Sequence, residues 1–344
     1  MLFGSTISAD TIVFQESFDA QDDWVCEDGN VNPQSEPPNW SYVYAQELWH
    51  PDNTPGSTPA CQISGADTDQ VFDGTGKAYV TDVESVAGSG FGGSDGLLFK
   101  DLPEADEYYY EVQIKFGPNF HTAGVDPEAD RKLMRIAHWN GIVERQKNFA
   151  TGGNGPMVFF NWKRNTGAAP WMTAKHSFRG PPFNTASYKI DDTGGADISD
   201  APGGLSGNGD MSIGFYVTET TRPLDQTNLP NQIPATGGSD ITHEMVYGDV
   251  WHRLGVYVKL NSAAGVLDGL YKFWFDDILL VDIKQIAWCP TGYDPADYKW
   301  NIMELGGNSD YHWDASDTWI AGRERWISYD DLKIYSTIPV RLQI

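Results

Sequence analysis

The sequence has no apolar run approaching the ~20 residues that a helix needs to cross a bilayer, so no membrane-spanning helix is expected from it. Cysteine is scarce, with three in 344 residues, and their spacing fits no zinc-ligand pattern. Basic residues are also few: 23 Lys and Arg stand against 48 Asp and Glu, for a formal net charge of -25. Such an acidic surface repels phosphate, so neither nucleic acid nor an anionic membrane is an expected partner. No long stretch has a helical period, and there is no internal repeat or low-complexity tract.

Aromatic residues are abundant, with 13 Trp, 16 Tyr and 16 Phe. Glycine (36) and proline (20) mark many turns and long loops. Strand-like runs recur at Thr11–Phe18, Tyr108–Phe116, Lys132–Trp139, Met157–Lys163, Met211–Thr218, Trp251–Leu260, Leu270–Asp276, Trp300–Leu305 and Trp326–Tyr335. Several alternate apolar and polar residues with the period of two that strands require. The expected fold class is all-β, a jelly-roll sandwich with long loops at Cys26–Thr68, Asp191–Asp210 and Arg222–His243. Residues 1–9, ending Ile7-Ser8-Ala9, read as a signal-peptide remnant or a disordered start, and residues 10–344 as one domain. A secreted protein, extracellular or periplasmic, is the expectation. In that setting Cys26 and Cys61 could pair, closing a loop worth roughly 4 kcal/mol in the chain-entropy model. Cys289, in Trp288-Cys289-Pro290, reads as a buried small hydrophobe.

The scarce cations are concentrated. Ten of the 23 lie between Arg131 and Lys189, beside one acid, Glu144. A local positive field on an otherwise repulsive body favours an acidic ligand at one place. Alternation turns Met134 and Ile136 inward and Arg135, Ala137 and Trp139 outward. In Trp251–Leu260 it turns His252, Leu254, Val256, Val258 and Leu260 inward, and Arg253, Gly255, Tyr257 and Lys259 outward. Glu111, Gln113 and Lys115 are expected to face out. One sheet face carrying Arg135, Trp139, Tyr257 and Lys259 would join cations to flat rings, a combination suited to acidic sugars. Lys132, Lys163, Arg253, Trp274, His176, Arg179 and Tyr188 are the further substrate-binding candidates.

The segment Tyr247-Gly248-Asp249-Val250-Trp251-His252-Arg253, the Asn261-Ser262 turn and Asp268-Gly269-Leu270-Tyr271-Lys272-Phe273-Trp274-Phe275-Asp276-Asp277 resemble the concanavalin A-like jelly rolls of polysaccharide lyases. The opening Phe14–Asp19 and closing Trp326–Leu332 are similar to the first and last strands of that class. Arg131-Lys132-Leu133-Met134-Arg135 is loosely similar to the R-x-E-L-R strand of alginate lyases, and Ile136-Ala137-His138 shares only the histidine of their Q-I-H element. Their Y-F-K-x-G strand has no counterpart, and the E-x-D-x-x-E signature of jelly-roll glucanases is absent.

The resemblance implies a lyase that cleaves a uronic-acid polysaccharide by β-elimination, with no cofactor required for the chemistry. A base removes the C5 proton once the carboxylate charge is offset, and an acid protonates the leaving oxygen. Arg135 is expected to neutralise the carboxylate with Asn161 and Lys259 as helpers, His138 to act as base and Tyr257 as acid, with His176 the second choice of histidine. Glu16, Asp19 and Asp331 are candidate ligands of a structural calcium ion tying the first and last strands. The alternatives are a glycan-binding module or adhesin, and a self-assembling extracellular protein whose basic segment docks on an acidic copy of itself.

Overall fold

A computed structural model describes residues 10–26, 35–45, 61–83, 96–117, 130–142, 155–165, 171–180, 210–214, 250–307, 309–310 and 325–343. Its strands are β1 (Ile12–Glu16), β2 (Trp24–Val25), β3 (Tyr42–Ala45), β4 (Cys61–Ser64), β5 (Ala78–Val83), β6 (Gly96–Ala105), β7 (Glu107–Phe116), β8 (Asp130–Ala137) and β9 (Met157–Asn165). They continue with β10 (Trp171–Arg179), β11 (Asp210–Gly214), β12 (His252–Lys259), β13 (Gly269–Phe275), β14 (Ile278–Ile286), β15 (Trp300–Gly307), β16 (Ser309–Asp310) and β17 (Arg325–Tyr335). The described helical residues are short 3-10 turns.

The strands form two antiparallel sheets, the sandwich expected from the alternation. One has nine strands in the order β14-β13-β12-β7-β17-β5-β4-β2, with β1 also on β17. The other has eight in the order β11-β10-β9-β8-β15-β6-β3, with β16 also on β8. Strands far apart in the chain are therefore neighbours, as in β8 beside β15 and β1 beside β17. The long segment Cys26–Thr68 is not all loop: it contains β3, at the end of the eight-stranded sheet's order, and β4, next to last in the order of the nine-stranded sheet. Both are four residues long, too short to announce a period.

One core fills the space between the sheets. Tyr110, Val112, Ile114 and Phe116 of β7 and Leu254, Val256 and Val258 of β12 meet Met134, Ile136, Val158 and Phe160 of the opposite sheet. Phe160 and Phe273 touch across the interface with ring centroids 4.9 Å apart. Trp288 and Trp300 pack edge to face at 5.2 Å, both fully buried. Cys289 lies in the same core, where burial pushes its thiol up to about 12, so it stays protonated and non-nucleophilic at neutral pH.

The outward positions of β7 differ from expectation. Glu111, Gln113 and Lys115 are buried although they point away from the main core. Over this outer face Tyr109, Tyr257, Trp274 and Tyr335 form a second apolar cluster, with Ile338 and Leu342 packed against it. Tyr335 donates to Glu111 at 3.0 Å, and Arg341 pairs with the same carboxylate. The chain after β17 thus folds back to roof a face that alternation alone assigns to solvent.

Candidate functional site

Part of the basic island falls on the outer face of the eight-stranded sheet by register: Lys132, Arg135, Lys163, Lys175 and Arg179. On β8, Leu133 and Met134 are both core residues, so alternation breaks between them. The register records the break as a bulge, with Lys132 opposite Asn161 but Met134 opposite Phe160. A bulge re-aims one side chain, and here it brings Lys132 to the same face as Arg135. Gly307 makes room for it: a Cβ there would lie 2.2 Å from the Lys132 carbonyl oxygen.

Two rows cross this face. In one, backbone pairing runs Tyr42, Phe99, Glu304, Arg135, Phe159, Ser177 and Asp210. In the next it runs Lys132, Asn161, Lys175 and Ser212. Directly paired residues share a face. Lys163, opposite Asp130 and Thr173, continues the pattern one step further. Arg179 is opposite Met157, whose side chain belongs to an outer apolar cluster with Leu97, Phe99, Ala137 and Ile302. Tyr42, Tyr44 and Trp139 pack partly buried against that cluster. Asn301 fixes Trp139, its Oδ1 accepting the Trp139 amide at 2.7 Å and its Nδ2 donating to the Trp139 carbonyl at 2.9 Å.

At the centre is a pair that sequence reasoning missed. The Arg135 guanidinium contacts Glu304, which is wholly inaccessible to solvent, while Arg135 is 5% exposed. Glu304 comes from β15, far along the chain, and nothing local to the basic island announces it. The pair orients the guanidinium and offsets part of the charge of the basic segment.

The other predicted site residues lie elsewhere. Tyr257, Lys259, Arg253 and Trp274 belong to the nine-stranded sheet, on its own outer face, with the whole core between them and Arg135. Tyr257 donates to Glu107, and burial followed by that bond raises its phenol far above the ordinary value, the wrong direction for a proton donor. Lys259 is 4.0 Å from Glu107, and Arg253 pairs with Asp277 at 2.7 Å. His138 falls on the inward side of the strand end. Its Nδ1 is 2.8 Å from the Lys299 carbonyl, which can only accept, and its ring packs edge to face on Tyr298 at 5.5 Å. Burial holds this imidazole below its ordinary value against the opposing pull of that bond and of Glu104. His176 is opposite Phe160, a core position, and Tyr188 lies outside the described residues. Hence Tyr257→Phe and Lys259→Ala are expected to leave turnover of any polysaccharide unchanged. A tenfold loss in steady-state assays would return that face to the mechanism.

The candidate calcium ligands each have a protein partner. Glu16 accepts from the Phe18 amide at 2.9 Å and from Gln21 at 2.7 Å, Asp19 accepts from the Lys77 amide at 3.0 Å, and Asp331 pairs with Lys333 at 2.7 Å. Among the described residues no group of three His, Cys, Asp or Glu is placed to hold a metal ion. Beside them Asp330 is buried, and desolvation raises its carboxyl to about 7, with Asp19 and Asp331 adding to the rise and bonds from the Asp331 and Phe72 amides opposing it. A folded-state value above the unfolded ~3.9 means the folded form binds the proton more tightly, so this group withdraws stability as pH rises from about 4 to about 7. Asp330→Asn is expected to flatten the rise in thermal midpoint on going from pH 8 to pH 5. An unchanged slope would exclude Asp330 as its source.

No family model and no curated protein matches the chain. Several solved structures resemble it in fold. An alginate lyase in complex with alginate trisaccharide aligns at 14% identity and a TM-score of 0.43, over 87% of this chain and 96% of that one. The endo-β-1,4-glucuronan lyase from the fungus Trichoderma reesei aligns at 13% and 0.44, over 95% and 96%. The laminarinase catalytic domain from Thermotoga petrophila aligns at 10% and 0.44, over 96% and 99%.

Proposed function

We propose that the protein is an exported polysaccharide lyase that binds a uronic-acid-containing polysaccharide across the outer face of the eight-stranded sheet and cleaves it by β-elimination. The observation that carries this reading is the register that sets Lys132, Asn161 and Lys175 side by side on the face of Arg135. The partly buried rings of Tyr42, Tyr44 and Trp139 edge the same face. Cations and an amide offset carboxylates, and rings cover the apolar faces of pyranoses. In β-elimination the charge that must be offset is largest as the C5 proton departs, so a guanidinium fixed in advance by Glu304 supplies stabilisation without reorganising.

A second reading, binding without cleavage, draws on a specific observation: His138 and Tyr257, the expected base and acid, are not on this face. One experiment separates the two. The protein is incubated with alginate, glucuronan and glycosaminoglycans while ultraviolet absorbance of the unsaturated product is followed, and the same polysaccharides are used in pull-downs. Rising absorbance is the expected result. Retention without absorbance identifies a binding module, and neither retention nor absorbance overturns both readings.

A further inference from the structure

We infer that Cys26 and Cys61 form a disulfide that ties the edge of the nine-stranded sheet and closes the loop carrying β3. The two residues sit in antiparallel register. Trp24 is opposite Ile63 and Val25 opposite Gln62, so the next step sets Cys26 opposite Cys61. The Cys26 amide donates to the Cys61 carbonyl at 3.1 Å, and the Cys61 amide reaches the Cys26 Sγ at 3.2 Å. Directly opposed residues of an antiparallel pair have Cα atoms about 4.5–5.5 Å apart, inside the window of roughly 4.4–6.8 Å that a disulfide spans.

Both cysteines are buried as free thiols in this structure, in the core cluster that also contains Tyr79. Tyr79 is wholly buried beside them, and that burial raises its phenol well above its ordinary value. A pocket this closed resists entry of reductant after the bond has formed, and it also slows oxidation of the finished fold. The bond therefore forms most readily while the chain is folding or partly open. One thiolate attacks an external disulfide such as oxidised glutathione, releasing one reduced glutathione and leaving a mixed disulfide. The second thiolate then displaces the other glutathione, so two thiols become one disulfide and the oxidant is reduced to two thiols.

The consequence is topological. The closed loop contains Tyr42–Ala45, the strand at one end of the eight-stranded sheet's order. Its Tyr42 ring packs on Phe99 at 5.3 Å on the outer face already described. A bond between Cys26 and Cys61 limits how far β3 can leave β6 in partly unfolded states and so holds that end of the face. None of this depends on what the face binds.

The test is a thiol count on the full-length chain, refolded with a mixture of reduced and oxidised glutathione, then unfolded and alkylated. The expected product is lighter by two hydrogens before alkylation, carries one alkylated cysteine, Cys289, and yields a Cys26–Cys61 cross-linked peptide. Reduction before alkylation restores three labels and lowers the thermal midpoint by several degrees. The Cys26→Ser and Cys61→Ser variants should each lose the oxidant-dependent rise in midpoint, whereas Cys289→Ala should keep it. Three labelled cysteines after oxidative refolding, or a cross-link to Cys289, overturns the inference. The readout uses no polysaccharide, so it stands or falls separately from the proposed function.

Discussion

Glu304→Leu alone is expected to destabilise the protein by about 3–5 kcal/mol, because it leaves the Arg135 guanidinium buried without its carboxylate. Arg135→Met alone should have a similar effect by removing the cation paired with Glu304, which has no access to solvent. The double variant Arg135→Met with Glu304→Leu is expected to recover most of that loss. Desolvating two charges offsets much of their attraction, and apolar side chains of similar volume pack against Phe99, Ala137 and Ile302 of the surrounding cluster. Denaturant unfolding of the four proteins gives the cycle directly, with a coupling term of opposite sign to the two single effects. The same double variant should be inactive on every polysaccharide that the wild type cleaves. A stable double variant with full turnover would show that the pair only builds the sheet.

Trp300→Ala carries the second large effect. Trp300 is fully buried, stands edge to face on Trp288 with an interplanar angle of 84°, and starts the strand that ends at Gly307, the residue that closely approaches Lys132 of β8. Removing an indole from such a site costs about 3–5 kcal/mol through lost transfer energy and the cavity left behind. Trp300→Phe retains a ring and fills most of the volume, so it should lose less than half as much. Thermal and denaturant midpoints of both variants check this. Equal losses would mean that the site depends on the indole specifically rather than on volume.

What the sequence made legible was local. Alternation in β7 and β12 correctly turned Val112, Ile114, Leu254 and Val256 inward, and in β8 it separated Arg135 from Met134 and Ile136. Alternation assigns a residue to one side of its own strand, however, and does not say which sheet the strand joins. Tyr257 and Arg135 both point away from the core, yet they point in opposite directions from it. Glu304 was invisible for the same reason: its partner is set by the order of strands in the sheet, β8 beside β15, and not by nearness in the chain. Alternation cannot give the face of Lys132, because a bulge at Leu133 interrupts the period on which that assignment rests. The burial of Glu111 came from the returning chain around Arg341, a long-range contact with no local signature.

The pairing of β1 with β17 sets when the fold can be completed. Ile12 is opposite Tyr335 and Glu16 opposite Leu332, the Ser336 amide donates to the Thr11 carbonyl at 3.0 Å, and the Val340 amide donates to Asp10 at 2.9 Å. During synthesis the first strand has to wait for nearly the whole remaining chain to emerge before these partners exist. Contacts of such high sequence separation raise the contact order and slow folding, because loop-closure entropy is lost before the contact repays it. Until then β1 lacks the β17 edge on which it finally lies, and one strand of the nine-stranded sheet is added late in folding.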